Sequence, residues 1–189
     1  MYNFDFSPGI HSGHLHRLAL IVLCALLCLL LSSCGEEELD LVPDSDSYES
    51  WSKTTEQELD YPIPGHENNY RRIYINDRGL EYTVEEQEGK TRYRFPKGTK
   101  ILKEIYEGFD PAAGEKPIRI TAMIKRPSHE EARGGWLWVI EDGDSGEENI
   151  FSGEFCVTCH SNANEQHPYG EGNPQEEFRD YVYFVPPRD

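Results

Sequence analysis

The sequence predicts a mainly β fold of the α+β kind, an antiparallel sheet with few short helices. Three observations carry that prediction. Short runs of β-branched and aromatic residues recur along the chain. In one of them Ile118, Ile120, Ala122 and Ile124 alternate with Arg119, Thr121, Met123 and Lys125. Gly, Pro, Asn and Asp separate the runs. Alternation with a period of two marks a strand with unlike faces, and β-branched runs bounded by turn residues read as strands joined by hairpins. Such a succession, with no long helical segments between strands, favours antiparallel pairing.

In chain order, the first element is not part of the fold. Leu18 to Leu31 is a block of Leu, Ala, Val, Ile and Cys preceded by Arg17 and followed by Ser32-Ser33-Cys34. It falls short of the ~20 residues that span a bilayer as a helix. A basic flank, a short apolar core and a small-residue exit mark residues 1–33 as a secretory signal peptide. Leu31-Ser32-Ser33-Cys34 also has the form of a bacterial lipobox, which makes Cys34 the expected lipid anchor and the mature N-terminus. Residues 34–50 then form the lipidated cysteine and an acidic tether, poor in apolar residues. Residues 51–189 form one folded domain.

Within that domain Thr54 to Leu59 is a possible helix. Arg72 to Ile75 reads as a strand, Asn76 to Gly79 as a turn, and Leu80 to Val84 as the returning strand. Thr99 to Tyr106 opens a strand after the Pro96/Gly98 break, and Gly134-Gly135 leads into another at Trp136 to Ile140. The loop Asp142 to Glu148 lacks the sixth-position Gly and the closing Glu of a calcium loop, so it reads as a solvated hairpin turn. A short helix is expected around Cys156 to Asn164, and a last strand at Tyr181 to Val185.

One motif carries chemistry. Cys156-Val157-Thr158-Cys159-His160 has the C-x-x-C-H spacing of a covalent haem c site. The two thiols are spaced to add to the two vinyl groups of haem, and the adjacent His160 is placed to bind the iron. A zinc site would need further close ligands, and no second cysteine pair exists. The five cysteines are then all assigned: Cys24 and Cys28 to the signal, Cys34 to lipid, Cys156 and Cys159 to haem c. For the iron's other face, no Met follows His160, and Met123 sits in an alternating strand. His66, His129 and His167 lie beside prolines or in loops. The expected iron is therefore five-coordinate, with an open position for a small ligand.

The formal net charge is -17. The signal segment removes one acid, Asp5, and one base, Arg17, and leaves that value unchanged. Nucleic acid, which needs a basic face, is excluded as a partner.

Tyr70 to Asn76, Phe95 to Glu104, Met123 to Arg126, Gly135 to Trp138, Cys156 to His160 and Asp180 to Tyr183 together resemble the cytochrome P-460 / cytochrome c′-beta family. The resemblance implies a mainly β, homodimeric protein with haem c near its C-terminus. In the P-460 branch a lysine is covalently joined to the haem and hydroxylamine is oxidised. In the c′-beta branch no such bond forms, and NO or CO is bound. The resemblance places that lysine at Lys103 and a distal-pocket arginine at Arg71. Thr121 lies on a strand near the expected pocket.

The expected function is oxidation of hydroxylamine at a lysine-modified haem, with electrons passed to a periplasmic redox partner. The alternatives are an NO- or CO-binding protein without the cross-link, and a low-spin electron carrier. The expected location is the periplasmic side of a bacterial membrane, held there by lipid.

Overall fold

The computed structural model describes residues 41–55, 59–63, 69–170 and 172–187. The signal segment, Cys34 and His66 lie outside the described residues. Elements follow in chain order: α1 (Ser45–Tyr48), β1 (Ser52–Lys53), β2 (Tyr70–Ile75), α2 (Asp77–Leu80), β3 (Thr83–Gln87), β4 (Lys90–Arg94), β5 (Lys100–Tyr106), β6 (Arg119–Lys125), β7 (Trp136–Asp142), β8 (Glu148–Ile150) and α3 (Glu154–Ser161), which runs into a 3-10 turn at Asn162–Asn164. Among the described residues the fold is mainly β, with antiparallel pairing throughout two sheets and only short helices.

The main sheet has the order β1-β2-β5-β6-β7-β8, and β3 and β4 form a separate hairpin between β2 and β5. Register places side chains in rows across the sheet. Ile73 pairs with Lys103, Lys103 with Thr121, and Thr121 with Ile140. Because side chains alternate along a strand, this row and its neighbours two residues away share one face. Leu102, Glu104 and Tyr106 belong to the other. Both faces are covered, which explains why the central strands are buried nearly throughout.

At one end of the first face sits an apolar cluster of Ile75, Tyr82, Phe95, Ile101, Met123, Trp136, Trp138 and Val182. Cys156 and Val157 of α3 pack against it. The core thus fixes the helix that carries the two thiols.

Several expectations are corrected. Asn76 to Gly79 is not a plain turn but opens α2: Asn76 Oδ1 accepts from Gly79 N and from Lys100 N, each at 3.0 Å. Gly79 is required there, since a Cβ would lie 2.4 Å from the Ile75 side chain. The strand after α2 begins at Thr83, not Leu80, and it does not return along β2 but pairs with β4 in the separate hairpin. Its partner β4 and the edge strand β8 were not expected.

Tyr181 to Val185 is not a strand. Asp180 and Tyr181 are both left-handed, at φ 52° and 71°, a conformation no strand accommodates. Leu59 makes an isolated bridge to Arg71, and part of the proposed Thr54–Leu59 helix lies outside the described residues. The acidic segment also differs from a tether over its described part. Leu41, Val42 and Tyr48 are buried, because apolar spacing within the acidic run supplies anchors that net composition hides.

Candidate functional site

The first face of the sheet, closed over by α3 and the C-terminal coil, encloses a cavity of about 330 Å³. That is within the range of small-molecule and cofactor sites. Its walls are mostly apolar, among them Ile63, Ile73, Ile105, Val139 and Phe155, and Cys156, Cys159 and His160 line it together.

Helix geometry accounts for that convergence. Cys156, Cys159 and His160 stand at i, i+3 and i+4 of α3, which places them on one side of the helix. Both cysteine side chains are half-buried. Burial pushes the Cys156 thiol above its ordinary range. His160 Nδ1 lies 2.9 Å from the carbonyl oxygen of Tyr181. A carbonyl can only accept, so Nδ1 carries the proton and Nε2 keeps its lone pair, the form in which imidazole binds a metal. The ring is held between Trp138 at 4.8 Å and Tyr183 at 5.3 Å between centroids. Desolvation, with the nearby Lys103 charge second, lowers its pKa to about 4, so the ring is neutral at physiological pH. Two thiols and a neutral, fixed imidazole on the wall of an apolar cavity fit a haem c.

Lys103 lines the cavity from the centre of β5. Burial first, then the charge of Arg71, lowers its pKa to about 8, while Cys159 and Cys156 oppose that shift. A neutral amine is therefore accessible near neutral pH. Arg71, one strand away on β2, also lines the cavity and is only 1% exposed. Its Nη2 donates to the Tyr61 carbonyl at 2.5 Å, and its guanidinium lies 5.3 Å from the Tyr61 ring centroid. Burial lowers its pKa, with Tyr61 and Asp60 opposing. Thr121 lines the same cavity, directly across from Lys103.

Met123 reaches the cavity wall and packs in the apolar cluster with Trp136 and Trp138. His129 accepts from Glu131 N in a turn, and His167 is buried against Tyr169 and Tyr183; neither lines the cavity. Sequence reasoning missed Trp138, Tyr181 and Tyr183 as the surroundings of His160. The aromatic runs holding Trp138 and Tyr183 stand out in the sequence and signal the ring's neighbours, whereas nothing local marks the Tyr181 carbonyl as its acceptor.

The family model described as Cytochrome P460 matches residues 45–184. The match covers most of the chain, including both thiols, His160, Lys103 and Arg71. No curated protein matches the chain. The chain belongs to the cytochrome P460 family, and so to the c-type haem proteins.

Proposed function

We propose that this member of the cytochrome P460 family oxidises hydroxylamine at a haem c held by Cys156, Cys159 and His160, with Lys103 covalently joined to the macrocycle. The observation that carries the reading is Lys103 itself: a lysine in the middle of the cavity wall, its amine easily neutralised, within electrostatic reach of both thiols and His160. When bound, the haem supplies a redox-active iron with an open position and ring carbons open to attack by an amine. Lys103 Nζ reacts as the neutral amine. Joining Lys103 to the ring would replace one N–H and one ring C–H by a C–N bond, releasing two protons and passing two electrons to an external oxidant such as a peroxide.

The remaining residues bind and orient. The Cys156 and Cys159 sulfurs hold the group to α3. His160 presents Nε2, its tautomer fixed by Tyr181. The Arg71 cation disfavours a positively charged occupant and leaves room for neutral hydroxylamine. The apolar walls exclude bulk water. In this reading the protein is exported, anchored through lipid on Cys34, and paired as a homodimer with a periplasmic electron acceptor.

The test compares wild type with Lys103→Ala. Wild type should show a spectrum unlike that of an ordinary c haem and reduce an acceptor in the presence of hydroxylamine. The variant should keep both thioethers, revert to the ordinary spectrum and lose the activity. The apolar cavity also suits a neutral diatomic ligand. A wild type with an ordinary spectrum that binds NO or CO and leaves hydroxylamine unchanged would replace the enzyme reading with gas binding.

A further inference from the structure

We infer that the buried ion pair of Lys125 and Asp180 is a positioning device for His160, fixing the carbonyl that orients and polarises its imidazole. The inference rests on the reading that His160 binds the haem iron.

The acceptor of the His160 proton is the main-chain oxygen of Tyr181, and its position depends on a backbone that few sequences adopt. Asp180 and Tyr181 are consecutive non-glycine residues in the left-handed region, at φ 52° and 71°. Such a pair persists only where the surroundings over-determine it. Here they do so from several directions. Lys125 Nζ donates to both Asp180 carboxylate oxygens, at 2.7 and 2.8 Å, and Phe95 N–H donates to one of them at 3.2 Å. Trp136 Nε1 donates to the Asp180 carbonyl at 2.9 Å. Asn164 Oδ1 accepts from Arg179 N and Tyr181 N, at 2.9 and 3.2 Å. Gly134 leaves space for the Tyr181 ring, which a Cβ there would meet at 2.8 Å.

The ion pair stands out in this set. Its side chains are 12% and 8% exposed, and Lys125 also lies over the Trp136 ring, 4.7 Å from its centroid. Desolvating two charges is costly, and a well-packed apolar pair often stabilises a fold as well or better. What the pair supplies is direction: two strong, charge-assisted bonds from β6 that hold Asp180, and with it the next carbonyl. A carbonyl fixed at hydrogen-bond distance raises the basicity of the imidazole it binds and sets the ring's orientation toward a metal. If the carbonyl is released, the Nδ1 hydrogen bond weakens and Nε2 becomes a poorer donor.

The experiment uses the holoprotein, with resonance Raman of the ferrous iron–histidine stretch, a redox titration and a thermal melt. Wild type is measured first. Absence of an iron–histidine band there would overturn the assignment of His160 itself, before any variant is read. In Asp180→Asn the band should move to lower wavenumber and the reduction potential to a more positive value. The paired variant Lys125→Met with Asp180→Asn removes both charges together, so no lone buried charge remains if the single variant fails to fold. It should show the same two shifts. Lys125→Arg, which keeps the pair, should return both readings towards wild type. A fall in melting temperature with band and potential unchanged in both Asp180 variants would show that the pair only supports the fold.

Discussion

Lys103 and Glu104 are consecutive residues of β5, and the pleat sends them to opposite faces of the sheet. Both are ionisable and both sit in the interior, yet their surroundings differ. Glu104, 2% exposed, accepts hydrogen bonds from three tyrosine hydroxyls: Tyr48 at 2.9 Å, Tyr74 at 3.2 Å and Tyr106 at 3.0 Å. Lys103 faces a cavity, beside a second cation, with its pKa lowered to about 8. A buried charge ringed by fixed donors is well satisfied and holds its neighbours in place. Desolvation and the neighbouring Arg71 charge favour the neutral form of Lys103, the form in which an amine reacts. On one strand, the back face holds a hydrogen-bonded carboxylate and the front face carries the lysine proposed to react.

The largest effect expected from breaking this comparison is on the scaffold side. Glu104→Ala leaves three buried hydroxyls without their acceptor, and should cost about 3 kcal/mol in a denaturant melt. The haem spectrum of the folded fraction should be unchanged.

Alkali probes the same cluster without mutation. Burial and then the Glu104 charge push Tyr48, Tyr74 and Tyr106 well above the ordinary tyrosine value of 10.0. In the unfolded chain these hydroxyls ionise near 10, and in the folded protein they do not. Their contribution is therefore fully present below pH 10 and is lost as pH rises beyond it. Each tyrosine adds about 1.4 kcal/mol per pH unit to that loss. A melt series across pH 9 to 12 checks it.

Tyr48→Phe removes one of the three donors and should cost about 1 kcal/mol, while flattening the alkaline slope. The smallest expected effect on stability is at the front face. Compared in the protein without haem, where no cross-link contributes, Lys103→Met keeps the side-chain length without the charge, and the folding free energy should stay within about 1 kcal/mol of wild type. A loss as large as that of Glu104→Ala would erase the distinction between the two faces.

The two faces were not equally legible in the sequence. The front face was: Ile101 and Lys103 share a side by strand periodicity, and the C-x-x-C-H spacing marks the helix opposite. The alternation from Ile118 to Lys125 marked β6 by its period, and the unbroken apolar run Trp136 to Ile140 marked β7 as a strand covered on both faces.

The back face was not legible, because Tyr48 lies in an acidic stretch whose average says tether. Its burial follows from a single aromatic meeting a carboxylate that lies 56 residues away in sequence. In the hairpin of β3 and β4, β3 is exposed and β4 is half-buried only at its centre, so the sequence pattern announces only the start of β3 and not β4, although Glu88 and Gly89 at the tip are both left-handed, as tight hairpins require. Tyr181 to Val185 has strand composition, but its first residue is held left-handed and its carbonyl goes to His160 rather than to a neighbouring strand. That use of the backbone depends on tertiary contacts and leaves no local trace.

The central claim is that Lys103 acts at the haem. Proteolysis of the native holoprotein followed by mass spectrometry of the haem-bearing peptides tests it directly. The account predicts a branched product in which one haem joins the Cys156–Cys159 peptide to a peptide spanning Lys103, with cleavage at that lysine blocked. A haem peptide carrying Cys156 and Cys159 alone, with Lys103 recovered unmodified and cleaved, would contradict it.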